Sequence, residues 1–144
     1  MDILKMSEEH VEECTDLYID AFTKSPWHDA YDSRAQVVSF FQNHMANNYF
    51  LGYVLKGQTG IAALCIGMKK PWIQGTEYYI DQFCVKPALQ GGGIGSGFLK
   101  SIEAEMRKEG INAIILNTER GFPSEKFYLK NGFKPLDGLI TFIK

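Results

Sequence analysis

Five of the eight residues from Gln90 to Gly97 (QGGGIGSG) are glycines, and this run lies between an apolar stretch, Tyr78–Val85, and a segment with helical periodicity. A glycine-rich turn before a helix leaves several backbone N–H groups without partners, and the helix dipole adds positive potential there. Glycine also lets an anion approach these groups, because it has no Cβ and tolerates positive φ angles. The run therefore predicts an anion site, for which phosphate is the usual ligand.

Two common phosphate-binding motifs do not fit this run. The P-loop pattern requires Lys and Ser or Thr after its last glycine, but Phe98 and Leu99 occupy those positions. The dinucleotide fingerprint G-x-G-x-x-G fails at Ser96 in one register and at Phe98 in the other. A tight strand-to-helix connection without a ligand is the remaining alternative, although short connections rarely need five glycines.

Two longer stretches carry a family resemblance. The sequence FCVKPALQGGGIGSGFL (83–99) resembles the central motif of the GNAT superfamily of acetyl-CoA-dependent N-acetyltransferases, in which Gln/Arg-x-x-Gly-x-Gly/Ala opens a helix. The sequence SEKFYLKNGF (124–133) is similar to the second motif of that family. The sequence IDQF (80–83) also resembles the corresponding stretch of some aminoglycoside 6′-N-acetyltransferases. With both motifs at the family's separation, the whole chain is identified as a member.

The resemblance implies acetyl-CoA as co-substrate and assigns roles by position. The end of the fourth strand would pair with the pantetheine arm, and the glycine-rich turn would hold the diphosphate. Tyr128 would protonate the departing thiolate; a phenol of pKa about 10 is a reasonable donor to a thiol of about 8.5. A backbone N–H near Cys84 or Val85 would stabilise the oxyanion. The residues that the resemblance assigns to the co-substrate are Phe83, Cys84, Val85, Gln90, Gly91, Gly92, Gly93, Ile94, Gly95, Ser96, Asn117 and Ser124.

The acceptor amine must lose a proton before it attacks, so a base is needed. Many relatives carry an acid three residues before the Val of the strand, where this chain has Gln82. Asp81 is adjacent but points to the opposite face of a regular strand, unless a β-bulge changes its direction. We expect Asp81 as the first candidate for the base and Glu77 as the second. A solvated or salt-bridged Asp81 without a catalytic role is the alternative.

Aromatic and acidic residues suggest the nature of the acceptor. The candidate acceptor-binding residues are Trp27, Tyr31, Trp72 and Gln82. The three aromatic residues lie in irregular loops that could line a pocket, although cover for the core is an equal alternative. The acidic residues expected near the cleft are Asp29, Asp32, Glu77 and Asp81. We therefore expect a small cationic amine as acceptor.

The composition fits a single domain, residues 1–144, with 45% hydrophobic residues. The formal net charge of −2 and the lack of a basic block argue against nucleic-acid binding. No apolar run approaches the roughly 20 residues of a membrane helix, and no signal peptide is evident. We expect a cytoplasmic monomer or homodimer that binds no membrane. The spacing of the histidines (His10, His28, His44) does not suit a metal, so we expect no metal and place them on the surface or in loops.

The order of the predicted strands and helices indicates an α/β fold with a mixed, mostly antiparallel sheet flanked by helices. The family resemblance implies that this is the GNAT acyl-CoA N-acyltransferase fold. Strands are expected at Tyr49–Leu55, Ile61–Met68 and Tyr78–Val85, with Lys69–Thr76 as a loop. A strand–helix–strand crossover follows, and Phe133–Ile143 is expected to add one or two closing strands.

The sequence thus predicts an N-acetyltransferase that moves acetyl from acetyl-CoA directly to a primary amine. A peptide or protein amine remains open as the acceptor. Two other classes are also open: a catalytically silent acyl-CoA-binding sensor module, and an α/β interaction domain without a co-substrate.

Overall fold

A computed structural model describes residues 1–144 as one five-stranded mixed sheet with helices on both faces. Its strands, which neighbour one another in chain order, are Asp2–Lys5 (β1), Phe50–Gly57 (β2), Gly60–Trp72 (β3), Gly75–Val85 (β4) and Ile111–Leu116 (β5). The α-helices are Val11–Phe22 (α1), Arg34–Met45 (α2), Ile94–Lys108 (α3) and Pro123–Lys130 (α4). β1 to β4 pair antiparallel, and β5 joins β4 in parallel through the α3 crossover. The predicted fold class is confirmed.

The alternation of side chains along the central strands divides the core between the two faces of the sheet. On one face, α1 and α2 cover a cluster that includes Val54, Leu64 and Cys84. On the other face, α3 covers a cluster that includes Tyr78 and Val85. Ser33 caps the start of α2 by accepting a hydrogen bond from the Gln36 amide at 3.2 Å. The candidate site, described below, lies at the end of β4, where Cys84 belongs to one cluster and Val85 to the other.

The hairpin between β3 and β4 is longer than expected. The predicted loop Lys69–Thr76 is wrong, because β3 continues to Trp72 and β4 begins at Gly75, with Lys69 opposite Tyr78. This part of the ladder carries polar, largely exposed side chains, so it lacks the buried alternation that identifies a strand in a sequence. Its backbone pairing needs no burial.

The closing strands predicted for Phe133–Ile143 are also wrong, because no strand follows α4. Pro135 has no N–H to donate, and a turn follows in which the Leu139 amide donates to the Leu136 carbonyl at 3.1 Å. The segment therefore turns before it can pair, and its apolar residues stay exposed, up to 99% at Ile143. The outer edge of β5 has no strand beside it.

None of the helices has both the length and the apolar character that a membrane span requires.

Candidate active site

β4 and β5 are paired over only part of their length. The last paired residues are Ile80 and Leu116, and from Asp81 to Val85 β4 has only β3 beside it. The other edge of this segment is therefore a free strand edge, with backbone groups available to a ligand. Two parallel strands that separate in this way open a cleft at their carboxyl ends, and the glycine-rich turn lies just beyond it.

The glycine-rich turn leaves six consecutive backbone N–H groups, those of residues 91–96, without a protein acceptor. The Gly97 amide is the first to bond, at 3.0 Å to the Gly93 carbonyl. These six groups stand at the N-terminus of α3, a helix of 15 residues whose dipole adds positive potential there. Main-chain donors and dipole together can bind an anion.

Gln90 differs from the six residues after it. Its amide donates to the Pro87 carbonyl at 3.2 Å, so this predicted phosphate donor is already engaged. Its side-chain Nε2 donates to the Val85 carbonyl at 3.0 Å. The side chain thus ties the turn to the end of β4 and fixes the position of one relative to the other.

Glycine is required at three positions of the turn, for two different structural reasons. Gly91 and Gly93 have φ angles of 83° and 85°, a left-handed conformation that other residues rarely adopt. A Cβ on Gly95 would lie 3.0 Å from Cε1 of Phe127, so this glycine lets α4 approach α3. The turn depends on glycine for its conformation at two positions and for packing at a third.

Tyr128 of α4 lies beside the free segment of β4. Its ring centroid is 6.3 Å from that of Phe83 and 5.2 Å from those of Phe127 and Phe133. No protein group forms a hydrogen bond with its hydroxyl. Burial raises the pKa of Tyr128 above its ordinary value, and the nearby thiols Cys65 and Cys84 raise it further. The side chain is therefore a protonated phenol with an uncommitted O–H.

A β-bulge lies at Asp81, where the free segment begins. β3 pairs Gly67 with Ile80 and then Ile66 with Gln82, which leaves Asp81 without a partner. Ile66 belongs to the cluster under α1 and α2, and paired residues point to the same face, so Gln82 points there too. The bulge therefore places Asp81 and Gln82 on one face, whereas a regular strand would separate them.

His44 is the partner of Asp81. Its Nε2 lies 3.3 Å from Oδ2 of Asp81, and its Nδ1 lies 3.0 Å from the Phe40 carbonyl oxygen. The expectation of a surface or loop position is wrong for two histidines. His44 is in the last turn of α2 with 21% of its side chain exposed, and His10 is buried, accepting from the Ser7 amide at 3.0 Å. His44 and Asp81 are far apart in the sequence, so no spacing could reveal the pair.

An aromatic wall extends from the α1–α2 connection to the β5–α4 connection. The Trp27 ring centroid lies 5.6 Å from that of Phe22 and 5.0 Å from that of Phe122. The Tyr31 hydroxyl donates to Oδ2 of Asp29 at 3.3 Å. Burial and the Asp29 carboxylate raise the pKa of Tyr31 to about 12. Phe122 was not identified from the sequence. It is far from Trp27 in the chain, and no motif indicates that the two rings are in contact.

Two other predicted residues lie apart from this group. Glu77 is opposite Lys70 and Ala113 in the fully paired part of β4, roughly 13 Å along the strand from Asp81. Trp72 is at the tip of the β3–β4 hairpin and is 64% exposed. The structure brings neither of them together with Asp81.

The remaining predicted residues lie at the end of β5, at the start of α4 and near the end of β4. Asn117 follows β5 and donates from Nδ2 to the Tyr79 hydroxyl at 2.6 Å. The Ser124 hydroxyl is 2.6 Å from that of Thr118, which joins the start of α4 to the end of β5. The Cys84 side chain is buried, and burial raises the pKa of its thiol, so only the backbone of Cys84 is available to a ligand.

A cavity of about 870 Å³ forms a groove outside this cleft. It lies along the outer edge of β5 and is closed on the other side by the C-terminal segment, including Leu136 and Ile140. Tyr128 forms part of its wall. No group of three or more His, Cys, Asp or Glu side chains is arranged to hold a metal ion.

The sequence between residues 11 and 133 matches a family model described as "Acetyltransferase (GNAT) family". A comparison with curated protein sequences finds no match.

Several solved structures share the fold. An aminoglycoside antibiotic 6′-N-acetyltransferase, AAC(6′)-IG from Acinetobacter haemolyticus, has a TM-score of 0.76 at 15% identity, covering 100% of this chain and 98% of that one. A predicted acetyltransferase with acetyl-CoA from Clostridium acetobutylicum has a TM-score of 0.71 at 20% identity, covering 99% and 95%. AAC(6′)-Iy in complex with the bisubstrate analogue CoA-S-monomethyl-acetylneamine has a TM-score of 0.74 at 13% identity, covering 99% and 97%. At these identities the likeness concerns the fold alone.

Proposed function

The chain belongs to the GNAT family of acetyltransferases, and from this premise we propose that it transfers acetyl from acetyl-CoA to a primary amine of a small, cationic acceptor. The observation that carries the proposal is the set of six free N–H groups at residues 91–96. A diphosphate offers several acceptor oxygens and negative charge at one place, which is what this turn can satisfy. The co-substrate's pantetheine arm would then lie along the free edge of β4.

The free edge supplies the second part of the co-substrate site. Residues 81–85 have β3 on one side only, so their other edge can pair with the amide groups of an extended arm as a strand would. The Gln90 side chain bonds the Val85 carbonyl, which holds the edge and the turn in a fixed relation. Asn117 and Ser124, which follow β5 and begin α4, would border the arm from the β5 side.

Tyr128 is the proposed general acid. Acetyl-CoA supplies an acyl group activated as a thioester, and the amine attacks its carbonyl carbon. A backbone N–H near Cys84 or Val85 stabilises the oxygen as negative charge develops on it. Tyr128 holds a proton at its hydroxyl, because burial raises its pKa, and gives that proton to the departing sulfur.

Asp81 is the first candidate for the base that deprotonates the acceptor. It begins the free segment of β4, and its bulge turns it toward Gln82 and α2. Glu77 stays second, since it lies in the paired part of the strand. Asp29 and Asp81, with the rings of Trp27 and Tyr31, are the groups proposed to attract a cationic acceptor, because carboxylates and aromatic rings both attract ammonium groups.

An amine-panel assay that follows release of free CoA tests this proposal. The panel combines polyamines, aminosugars, lysine-containing peptides and neutral or acidic amines. We expect turnover with the small cationic amines. Turnover with peptides alone would show that the acceptor is a peptide amine and not a small molecule. Turnover with neutral or acidic amines alone would overturn the proposed preference for cationic acceptors. Titration calorimetry with CoA and acetyl-CoA accompanies the assay, and absence of saturable binding by the folded protein would overturn the whole proposal.

One observation favours a second function, a catalytically silent acyl-CoA-binding module. Gln82 stands where many relatives carry an acid. Tyr128→Phe separates the two functions. For an enzyme we expect kcat to fall by about 100-fold, the lower end of what a general acid contributes, while the Kd for CoA stays within about twofold. A wild-type protein that binds CoA but acetylates no member of the panel would support the silent module.

A further inference from the structure

We propose that the pair formed by His44 of α2 and Asp81 of β4 takes the proton from the acceptor ammonium, with Nε2 of His44 as the receiving atom. The inference rests on the proposed acetyl transfer and refines the role given to Asp81. In this arrangement Asp81 holds the imidazolium that forms, and the pair acts as one base.

The tautomer of His44 follows from its contact with α2. Nδ1 lies 3.0 Å from the Phe40 carbonyl oxygen, which can only accept a hydrogen bond. Nδ1 therefore carries the hydrogen, and in the neutral ring Nε2 has the lone pair. The Phe40 ring, with its centroid 4.4 Å from that of the imidazole, packs against His44 and fixes its orientation. The basic nitrogen is thus Nε2, which lies beside Asp81.

Nε2 of His44 lies 3.3 Å from Oδ2 of Asp81, and the two atoms do not form a hydrogen bond with each other. An ammonium group beside them can donate one N–H to Nε2 and another to Oδ2. The pair can therefore bind an ammonium group and accept one of its protons.

The position of the pair suits the reaction. Asp81 is the first residue of the free segment of β4, the edge proposed to hold the acyl-bearing arm. The side chains of His44 and Asp81 are 21% and 31% exposed, so a small amine can reach them while most of the surrounding water is excluded. Trp27 and Tyr31 pack against the same core cluster under α1 and α2.

An N–H bond of the ammonium breaks, its proton goes to Nε2 of His44, and the nitrogen lone pair forms the new C–N bond. The C–S bond then breaks, and Tyr128 donates the proton that converts the thiolate to a thiol. The amide nitrogen loses its extra proton to solvent, and Tyr128 and His44 return to their starting states by exchange with solvent after the products leave.

A purely structural ion pair, closing α2 against β4, is the competing explanation. It predicts that loss of His44 lowers the free energy of unfolding and affects all acceptors alike. The proposed role predicts an effect on kcat that depends on whether the acceptor arrives protonated. The two acceptor types therefore distinguish the explanations.

The test compares His44→Ala, His44→Gln and Asp81→Asn with Asn43→Ala, an exposed position on the same helix. The acceptors are an alkylamine, protonated at neutral pH, and a weakly basic amine such as a hydrazide, which is neutral there. With the alkylamine we expect the three variants to lose about 100-fold in kcat, whereas with the hydrazide they keep activity within about fivefold. The KM for acetyl-CoA and the Kd for CoA stay unchanged, and added imidazole partly restores His44→Ala.

Each other outcome has a meaning. Equal losses with both acceptors, or full activity of His44→Gln and His44→Ala with the alkylamine, would overturn the role of the pair while leaving acetyl transfer intact. If His44→Ala does not fold, His44→Gln carries the comparison, since the longer amide fills a similar volume. A wild-type protein inactive with every amine would overturn the proposed function itself, and this inference with it.

Discussion

Gly67 is the residue that permits the bulge at Asp81. A Cβ at this position would lie 2.9 Å from the carbonyl carbon of Tyr79 and 3.0 Å from Cα of Ile80, so β3 could not keep its distance from β4. The neighbours are backbone atoms, which cannot rotate away as a side chain would. The position of Asp81 therefore depends on a residue of the adjacent strand.

We expect Gly67→Ala to lower the free energy of unfolding by about 1–3 kcal/mol, the usual cost of overpacking a core. It should also lower kcat more than it weakens CoA binding, because it displaces Asp81 and leaves the glycine-rich turn intact. Urea unfolding and calorimetry with CoA measure the two effects. Gly138→Ala is the control, since its Cβ would meet no atom within 4 Å. A Gly67→Ala protein of unchanged stability would show that the strands separate easily.

Sequence analysis can propose residues that belong to local motifs, and it misses those that meet only through packing. The roles proposed for Tyr128 and the glycines come from two motifs that are each contiguous in the chain. His44 and Phe122 were missed, since each meets its partner only after α2 or the β5–α4 connection has folded onto the sheet. The direction of Asp81 depended on the bulge, which involves an adjacent strand.

At the scale of elements, α3 and the turn before it form the proposed anion-binding unit. The left-handed conformation of Gly91 and Gly93 shapes the turn that carries the N–H groups of residues 91–96, and the helix dipole adds positive potential there. A residue with a Cβ is strained at these positive φ angles by roughly 1–2 kcal/mol. Relief of this strain would spread the donors apart.

We therefore expect Gly93→Ala to raise the Kd for CoA by about tenfold, from that strain. Gly97→Ala is the matched control on the same element. Gly97 has no positive φ, its Cβ would meet no atom within 4 Å, and its amide is already bonded to Gly93. Titration calorimetry compares the two variants. Equal affinities would mean that the turn does not bind the diphosphate.

The strands and helices were predicted where their apolar alternation is buried, and the predictions were wrong for two segments. The outer part of the β3–β4 hairpin was missed because it pairs in solvent, without an apolar face. The C-terminal segment was predicted as strand from its apolar residues, but it has no partner strand and turns at Leu136–Leu139. Both errors have one origin. An apolar composition indicates burial, whereas a β-strand also requires a neighbouring strand with which its backbone can pair.

At the scale of the whole molecule, burial of phenols and thiols couples stability to alkaline pH. Burial raises the pKa of seven groups well above their ordinary values, which are 10.0 for Tyr and 9.0 for Cys. They are Cys14, Tyr18, Tyr53, Cys65, Tyr78, Cys84 and Tyr128. Above pH 9 to 10 the unfolded chain loses these protons while the native protein keeps them.

The stability that these groups provide is therefore complete below about pH 8.5 and falls as the pH rises toward the native pKa values. Each group lowers the free energy of unfolding by about 1.4 kcal/mol per pH unit within that window. Urea unfolding at about pH 7.5, 9 and 10.5 measures the effect, and we expect the midpoint to fall at each step. A midpoint that does not change between the first and last pH would contradict the burial of these groups.

The groups proposed to bind the diphosphate are main-chain N–H groups. No side chain of the turn therefore distinguishes between molecules that carry the same diphosphate. Recognition of the acyl end must then come from the free edge of β4, at a separate location. A nucleotide fragment such as ADP, which has the diphosphate but no thiol arm, should accordingly occupy the turn and inhibit competitively against acetyl-CoA. Product CoA should do the same with higher affinity, because its thiol arm adds contacts along the free edge of β4.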